Sequence, residues 1–415
     1  MQLREVAEKL GVAPVPSGDR EIPVNFCLDS EGLICCAVEH GLEPAIADEL
    51  RRQADRLCGN AVLVSYFNFL ALEYFNDRLS VKHSGELPAS IRILSEAEEF
   101  AFFALLAFTA IGSRRRVFAS AGLPPESAGQ AVADMFIWMD RFYRERRLAG
   151  LSGKIFRREY GVLNGSPLYI GRLQFLLGPF AGKIRVYRNR ENGEVRVLSC
   201  SGVMFNRSGM PDGVNGDFDP VAWTSTFEEG PRSAEGNPVS PDGKVSREVV
   251  SLDTSVWSCV FREGDWTLDT CFPEGTVLDL DGCREAMRQA LAFFRSLFPD
   301  RTIRGFSCFS WMLDPQYEIL LRPDSKILAF MRQYYLFPAR GGDREAIWHI
   351  FGDKGLMDGE PVPCETSLQR HVAEFLEHGG KLRPCGGFLL PDDLDRYGSM
   401  PYRVGSAERG GVKCL

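Results

Sequence analysis

A chain of 415 residues, 45% hydrophobic and 25% charged, has material for two or three domains of ordinary globular composition. Its net charge of −8 argues against a general phosphate-backbone-binding surface, which needs clustered Lys and Arg, so no nucleic-acid partner is expected. The twelve cysteines are scattered and form no CxxC pair, which predicts reduced thiols in a cytoplasmic protein and no metal site.

The N-terminal segment MQLREVAEKLGV reads as a short amphipathic helix without the apolar centre of a signal peptide. Helices are then predicted over Ala45–Leu57, Val62–Leu79 with its aromatic face, Glu96–Ile111 and Ser127–Arg147. Pro124-Pro125-Glu126-Ser127 supplies a start signal for the last of these. The most apolar run, Ala101–Ile111, is about half the ~20 residues that a membrane span requires. It predicts a buried helix, and no membrane partner is expected. The basic run Arg114-Arg115-Arg116 reads as the solvated end of that helix. Residues 1–157 are therefore expected to form an all-α domain.

The periodicity changes after residue 158. Leu168–Leu177, Ile184–Arg190 and Glu194–Cys200 alternate as strands, the last two joined by a turn at Glu191-Asn192-Gly193. Residues 206–247 are rich in Gly, Pro, Ser and Asp and read as a long loop, either a lid or an insertion. Val249–Leu252 and Trp257–Phe261 resume extended structure. Strand Trp266–Phe272 is followed by helix Arg284–Phe298, and strand Phe306–Trp311 by a helix after Pro323-Asp324-Ser325. Two strands each followed by a helix imply a parallel pair, whose ends are a favoured place for a ligand. Tyr334–Phe337 and Ala346–Phe351 are expected as strands, a helix begins at Thr366 and stops at Gly379-Gly380, and Gly387–Leu390 adds an edge. Residues 158–398 make the second domain, and 399–415 a loosely held tail.

The runs SCFSWMLDPQ, DSKILAFMRQYYLFP and ETSLQR, with GRLQF at Gly171–Phe175 and GNPVSPDG at Gly236–Gly243, resemble the GNAT-like C-terminal domain of a bacterial acyltransferase family. Members of that family pair this domain with a helical N-acyltransferase N-terminal domain. The resemblance implies an α+β protein: an all-α N-terminal domain, then a GNAT-like α/β domain with a mixed sheet. It also implies transfer of an acyl group from an acyl-CoA co-substrate to a small-molecule amine or hydroxyl. In such a fold two parallel strands splay, here at Phe272 and Ser310, and the pantetheine arm enters the gap. The pyrophosphate then meets the next helix N-terminus, where free N–H groups favour anions. On this mapping Phe272, Gly275, Thr276 and Arg284 would hold the cofactor, although the loop Pro273–Leu280 lacks the usual Gly-x-Gly turn.

Relatives carry His where this chain has Cys271 and Phe309, so the acid–base work passes to substitutes. Asp269 is the candidate base through a water, Cys271 a candidate nucleophile, Ser310 a donor to an intermediate and Tyr334 the acid for the leaving thiolate. Arg172, Gln174 and Trp311 are candidate acceptor-binding residues, whereas His349 and His371 read as core or surface groups. Two other readings stay open: a catalytically inactive ligand-binding or sensor protein, and a thiol-dependent hydrolase using Cys271 or Cys308. The acyl chain, the acceptor and the oligomeric state are not fixed by sequence.

Overall fold

The computed structural model describes residues 2–13, 21–22, 28–75, 79, 87–352, 355 and 362–403. The chain divides into two compact units, Met1–Ile170 with Pro273–Gly275, and Gly171–Phe272 with Thr276–Leu415. The division falls after Ile170 rather than after 157, because a helix over Gly153–Leu163 runs through the expected boundary.

The first unit is helical: α1 (Leu3–Leu10), α2 (Ser30–Glu39), α3 (Pro44–Cys58), α4 (Ala61–Tyr74), α5 (Glu96–Phe108), α6 (Ile111–Ser120), α7 (Pro125–Arg146) and α8 (Gly153–Leu163). Helix α5 opens with a capping box, Ser95 and Glu98 each satisfying the other's backbone N–H. Every residue of α5 from Phe100 to Phe108 is buried, as an all-round apolar helix should be. Phe67 and Phe102 meet edge-on at 5.5 Å, and Phe103 stacks on Phe156 of α8 at 5.0 Å. The aromatic face read from the sequence is thus core. The basic run departs from expectation. It lies inside α6, where Arg114 is fully buried and donates to Asn164 Oδ1 at 3.3 Å, while Arg115 and Arg116 are exposed.

The second unit stacks two sheets. Strands β1 (Leu173–Pro179), β2 (Ile184–Asn189), β3 (Val195–Ser199), β4 (Pro238–Val239), β5 (Trp257–Arg262), β6 (Trp266–Cys271), β7 (Ile303–Phe309), β8 (Tyr335–Phe337) and β9 (Gly386–Leu389) carry it. One sheet runs β4-β3-β2-β5 and is antiparallel. The other runs β8-β9-β7-β6-β1, with β6 and β7 parallel and the remaining pairs antiparallel, the expected mixed sheet. Ile184, Val186, Val197, Val239 and Phe261 from the first pack against Tyr335, Phe337 and Phe388 from the second in one core. Helix α9 (Leu280–Leu297) is amphipathic and buries Cys283, Ala286, Met287, Ala290 and Phe294. Short helices α10 (Tyr317–Leu320) and α11 (Lys326–Met331), then α12 (Asp343–Phe351) and α13 (Ser367–Glu377), complete the unit.

Four expectations change here. Ala346–Phe351 belongs to α12, not to a strand. Strand β9 is interior, held between β7 and β8, rather than an edge. Its bare glycines make room: a Cβ on Gly386 would fall 2.3 Å from the Phe337 ring, and one on Gly387 2.9 Å from Tyr334. Residues 206–247 are not one structureless loop. They contain short strands at Trp223–Thr224, Phe227–Glu229, Ser233–Gly236 and β4, and they are docked. Asn215 donates to Leu382 O at 2.8 Å, and Asp217 pairs with Lys381 and Arg383 at 2.5 and 2.7 Å. The start of the tail is also held, since Tyr402 packs on Phe388 and donates to Asp393. Residues 404–415 lie outside the described part.

Candidate active site

The site begins where β6 and β7 part. Their ladder runs from Trp266↔Ile303 to Asp269↔Ser307 and stops there. Beyond that pair β6 stays bonded to β1 as far as Cys271↔Gln174, and β7 to β9 as far as Phe309↔Gly386. Each strand is thus drawn off by its outer neighbour, and a fork opens between them. Its first open step sets Thr270 against Cys308, earlier than the divergence expected at Phe272 and Ser310. Side-chain alternation puts Asp269, Cys271, Gln174, Ser307 and Phe309 on one face, and Thr270, Phe272 and Cys308 on the other.

Asp269 stands at the crotch of the fork. Its carboxylate accepts from Ser307 Oγ at 2.9 Å, and no cation lies within ion-pair distance among the described residues. Burial pushes its pKa up to about 6, the Ser307 hydrogen bond offsetting part of that rise. Such a carboxyl takes and returns protons near neutrality, as general-base work requires. Cys271 is half-buried, one step along β6, beside fully buried Gln174. The Cys308 thiol is fully buried, and burial pushes it well up, which suits a core group rather than a nucleophile. Ser310 Oγ accepts from Met312 N at 3.2 Å and caps the turn over Trp311–Leu313.

Tyr334 is fully buried, and desolvation pushes its hydroxyl well above the ordinary value. An ordinary cysteine thiol ionises near about pH 8.5, well below this phenol, so complete proton transfer from the phenol to a thiolate runs uphill. Hydrogen-bond donation remains open to it. Phe272 packs edge-on against Phe330 at 4.6 Å and walls the fork.

The other candidates gather toward α9. Gly275 adopts φ +75° in the loop after β6, and Thr276 follows, half-buried. At the helix start Asp279 accepts from Gly282 N at 3.1 Å. Arg172 lies here, not on the strand face, because Gly171 turns the chain at φ +60°. Its guanidinium reaches Asp279 at 3.2 Å and Val277 O at 3.3 Å, and lies on Gly282, where a Cβ would fall 2.4 Å from Arg172 Cζ. Arg172 therefore lies beside the start of α9 rather than on the face of β1 with Gln174. Arg284 is engaged with Asp281 at 2.7 Å and Tyr397 O at 3.2 Å.

One histidine read from the sequence as a core or surface group lies close to the end of β7. His349 of α12 stacks on Trp311 with ring centroids 6.0 Å apart and planes at 17°, two residues past the end of β7. Reading its segment as a strand hid the helical face that delivers it. His371, on α13, is half-buried.

Residues 168–389 match the family model of the GNAT-like C-terminal domain. The chain belongs to that family. Solved structures with the same architecture include a mutant acyltransferase in complex with octanoyl-CoA, 18% identical, with a TM-score of 0.56 over 94% of this chain and 100% of that one. An acyltransferase in complex with CoA and 10C-teicoplanin is 18% identical with a TM-score of 0.57, over 94% and 99%. A third complex, with decanoyl-CoA and teicoplanin, matches at 18% and 0.56, again over 94% and 99%. No curated protein matches. This GNAT-like domain keeps the forked parallel pair while Cys271 and Phe309 flank it.

Proposed function

We propose that the fork between β6 and β7 admits the pantetheine arm of an acyl-CoA, and that the protein transfers the acyl group to an amine or hydroxyl of a small-molecule acceptor. The observation that carries this reading is the ladder that ends at Asp269↔Ser307 while both strands continue. An extended arm can enter there as a further strand would. The solved structures of like fold, complexes of acyltransferases with acyl-CoA and teicoplanin, support the same reading.

In this mechanism the acceptor attacks the thioester carbonyl, Asp269 takes its proton, and the C–S bond breaks to release CoA. Asp269 is suited to the task because it is ionised just above pH 6 yet lacks a cation that would hold it permanently so. Arg172 supplies positive charge at the start of α9, where the second glycine of the usual phosphate turn is absent. Trp311 and His349 offer a flat aromatic surface to the acceptor or acyl chain. The protein is read as cytoplasmic; no helix among the described residues is long and apolar enough to cross a membrane.

The test is release of CoA thiol from decanoyl-CoA with pooled amine acceptors, followed by DTNB, beside a thermal melt with and without the thioester. Acceptor-dependent thiol release is expected. Stabilisation by acyl-CoA without thiol release would leave the sensor reading, and absence of both would sink the assignment.

A further inference from the structure

The two rings that stack at the end of β7 come from separate elements. Trp311 sits in the turn that follows the strand, and His349 in α12, with their planes at 17°. Ser310 keeps an extended backbone, φ −147° and ψ 144°, so strand alternation carries past the end of β7. It puts Trp311 on the side of Ser307 and Phe309, which is also the side of Asp269. A substrate that yields its proton to Asp269 approaches over these rings. Their relative placement is therefore worth holding.

One side chain of the inserted segment fastens both elements. Asn215 Oδ1 accepts from Asp343 N at 2.8 Å, the first N–H of α12, where Gly342 at the cap position supplies no side-chain cap. Asn215 Nδ2 donates to Leu382 O at 2.8 Å. Residues 381–385 in turn grip the Trp311 turn. Arg383 N donates to the buried Asp314 carboxylate at 2.5 Å, Cys385 N to Leu313 O at 3.1 Å, and Gln316 Nε2 to Lys381 O at 2.9 Å. A single amide thus joins the helix that carries His349 to the segment that holds Trp311.

The backbone is shaped to present that amide. Asn215 has φ 57°, between Gly213 at φ 77° and Gly216 at φ 74°. Asn is one of the few residues with a side chain that adopts this left-handed region readily. Asp217 fixes the approach by pairing with Lys381 and Arg383. Positive φ at a residue other than Gly persists where the surroundings over-determine it, and it gathers at functional places.

We infer that Asn215 is a positioning residue for acceptor recognition: its amide clamps α12 to the Trp311 turn and so sets the aromatic wall, Trp311 and His349, on which the acceptor lies. This rests on the transferase reading above. Asn215 acts through the two rings, and the docked insertion becomes part of the acceptor site's frame.

Asn215→Gly keeps the positive φ and removes both bonds. Asn215→Asp keeps the bond from Asp343 N and removes the one to Leu382 O. Each variant is labelled with fluorotryptophan, and the fluorine resonances of Trp311, Trp348 and Trp266 are assigned by replacing each with Phe. In Asn215→Gly those of Trp311 and Trp348 are expected to shift or broaden, while that of Trp266, at the far end of β6, holds. Acyl transfer is followed as thiol release from decanoyl-CoA, with the fastest-reacting amine of the pool as acceptor. The KM for that amine should rise about tenfold, with kcat and the KM for decanoyl-CoA within about twofold of wild type. Asn215→Asp should fall between. Unmoved Trp311 and Trp348 resonances, or a fall in kcat with both KM values held, would overturn the inference and leave Asn215 a fastening of the insertion alone. A wild-type protein that releases no thiol would remove the transferase reading, and acceptor recognition with it, while the resonances still report whether the clamp exists. If Asn215→Gly fails to fold, Asn215→Asp carries the same comparison.

Discussion

Two carboxyl sites, one in each unit, are built in opposite ways. In the first, Asp134 and Glu159 are both essentially inaccessible and share the Arg158 guanidinium, which reaches Asp134 at 3.1 Å and also bonds Glu159. Arg158 lies over the Trp138 ring at 5.4 Å, and Arg141 lies over the same ring at 5.6 Å. In the second unit Asp269 has a serine and no cation. A guanidinium fixed on an indole cannot leave its carboxylates without stranding them, so that cluster is architecture. A carboxyl held by one hydroxyl can gain or lose its proton at modest cost. That difference separates a charge fixed by its partner from a carboxyl free to titrate, although Asp269 too is largely shielded from water.

The comparison breaks most visibly at Arg158. Replacing it by Met strands the buried Asp134 carboxylate beside Glu159, whose pKa burial and Asp134 push up to about 8, and we expect a loss of about 3 kcal/mol or more in urea unfolding at pH 7. Activity per folded molecule should hardly change. A loss below about 1 kcal/mol would mean that the cluster is not held by its cation.

Asp269→Asn should do the reverse. It removes the base at unchanged shape, and acyl transfer is expected to fall about 100-fold. The wild-type rate should rise with pH through about 6 as the carboxyl ionises, and the variant should lose that rise. Stability carries the opposite sign. The folded-state pKa of about 6 lies above the ordinary Asp value, so ionisation disfavours the native state. Wild-type stability should decline between roughly pH 4 and 6 and stay flat beyond, as far as this group is concerned. The Asn variant is therefore expected to be more stable by about 1–2 kcal/mol at pH 7.5, less than the full shift because part of the side chain reaches water. A variant equally stable at pH 4 and 7.5 relative to wild type would show that Asp269 titrates normally.

Much of this was legible in the chain. Thr366 announces α13 because its hydroxyl and Gln369 form a capping box, and strand alternation alone put Asp269 and Cys271 on one face. The fork strands were recognisable from their punctuation. What the chain hid were features decided by distant partners. Ala346-Ile347-Trp348-His349-Ile350-Phe351 is too short and too apolar for its period to choose between helix and strand. Arg114 is buried because Asn164, 50 positions on, meets it. Arg172 looked like a strand residue until the Gly171 turn sent it to α9. The segment 206–247 looked like a lid because its composition is loop-like. Asp217 and Asn215 tie it down through partners more than 120 residues away.

The smallest effect tests the finest part of the comparison, the single hydroxyl that distinguishes Asp269 from an unsupported buried carboxyl. Ser307 Oγ donates to its Oδ1, and that bond favours the charged form. Ser307→Ala should raise the Asp269 pKa further, because burial then acts without opposition. The midpoint of the pH–rate profile should move alkaline from about 6, by less than about one unit for a single neutral hydrogen bond. The plateau at high pH should change little, since the ionised base is the same group. The rate at pH 6 would then fall while the rate at pH 8.5 holds. An acid shift, or a plateau that collapses with no shift, would mean that Ser307 positions the substrate and that Asp269 is not the titrating base.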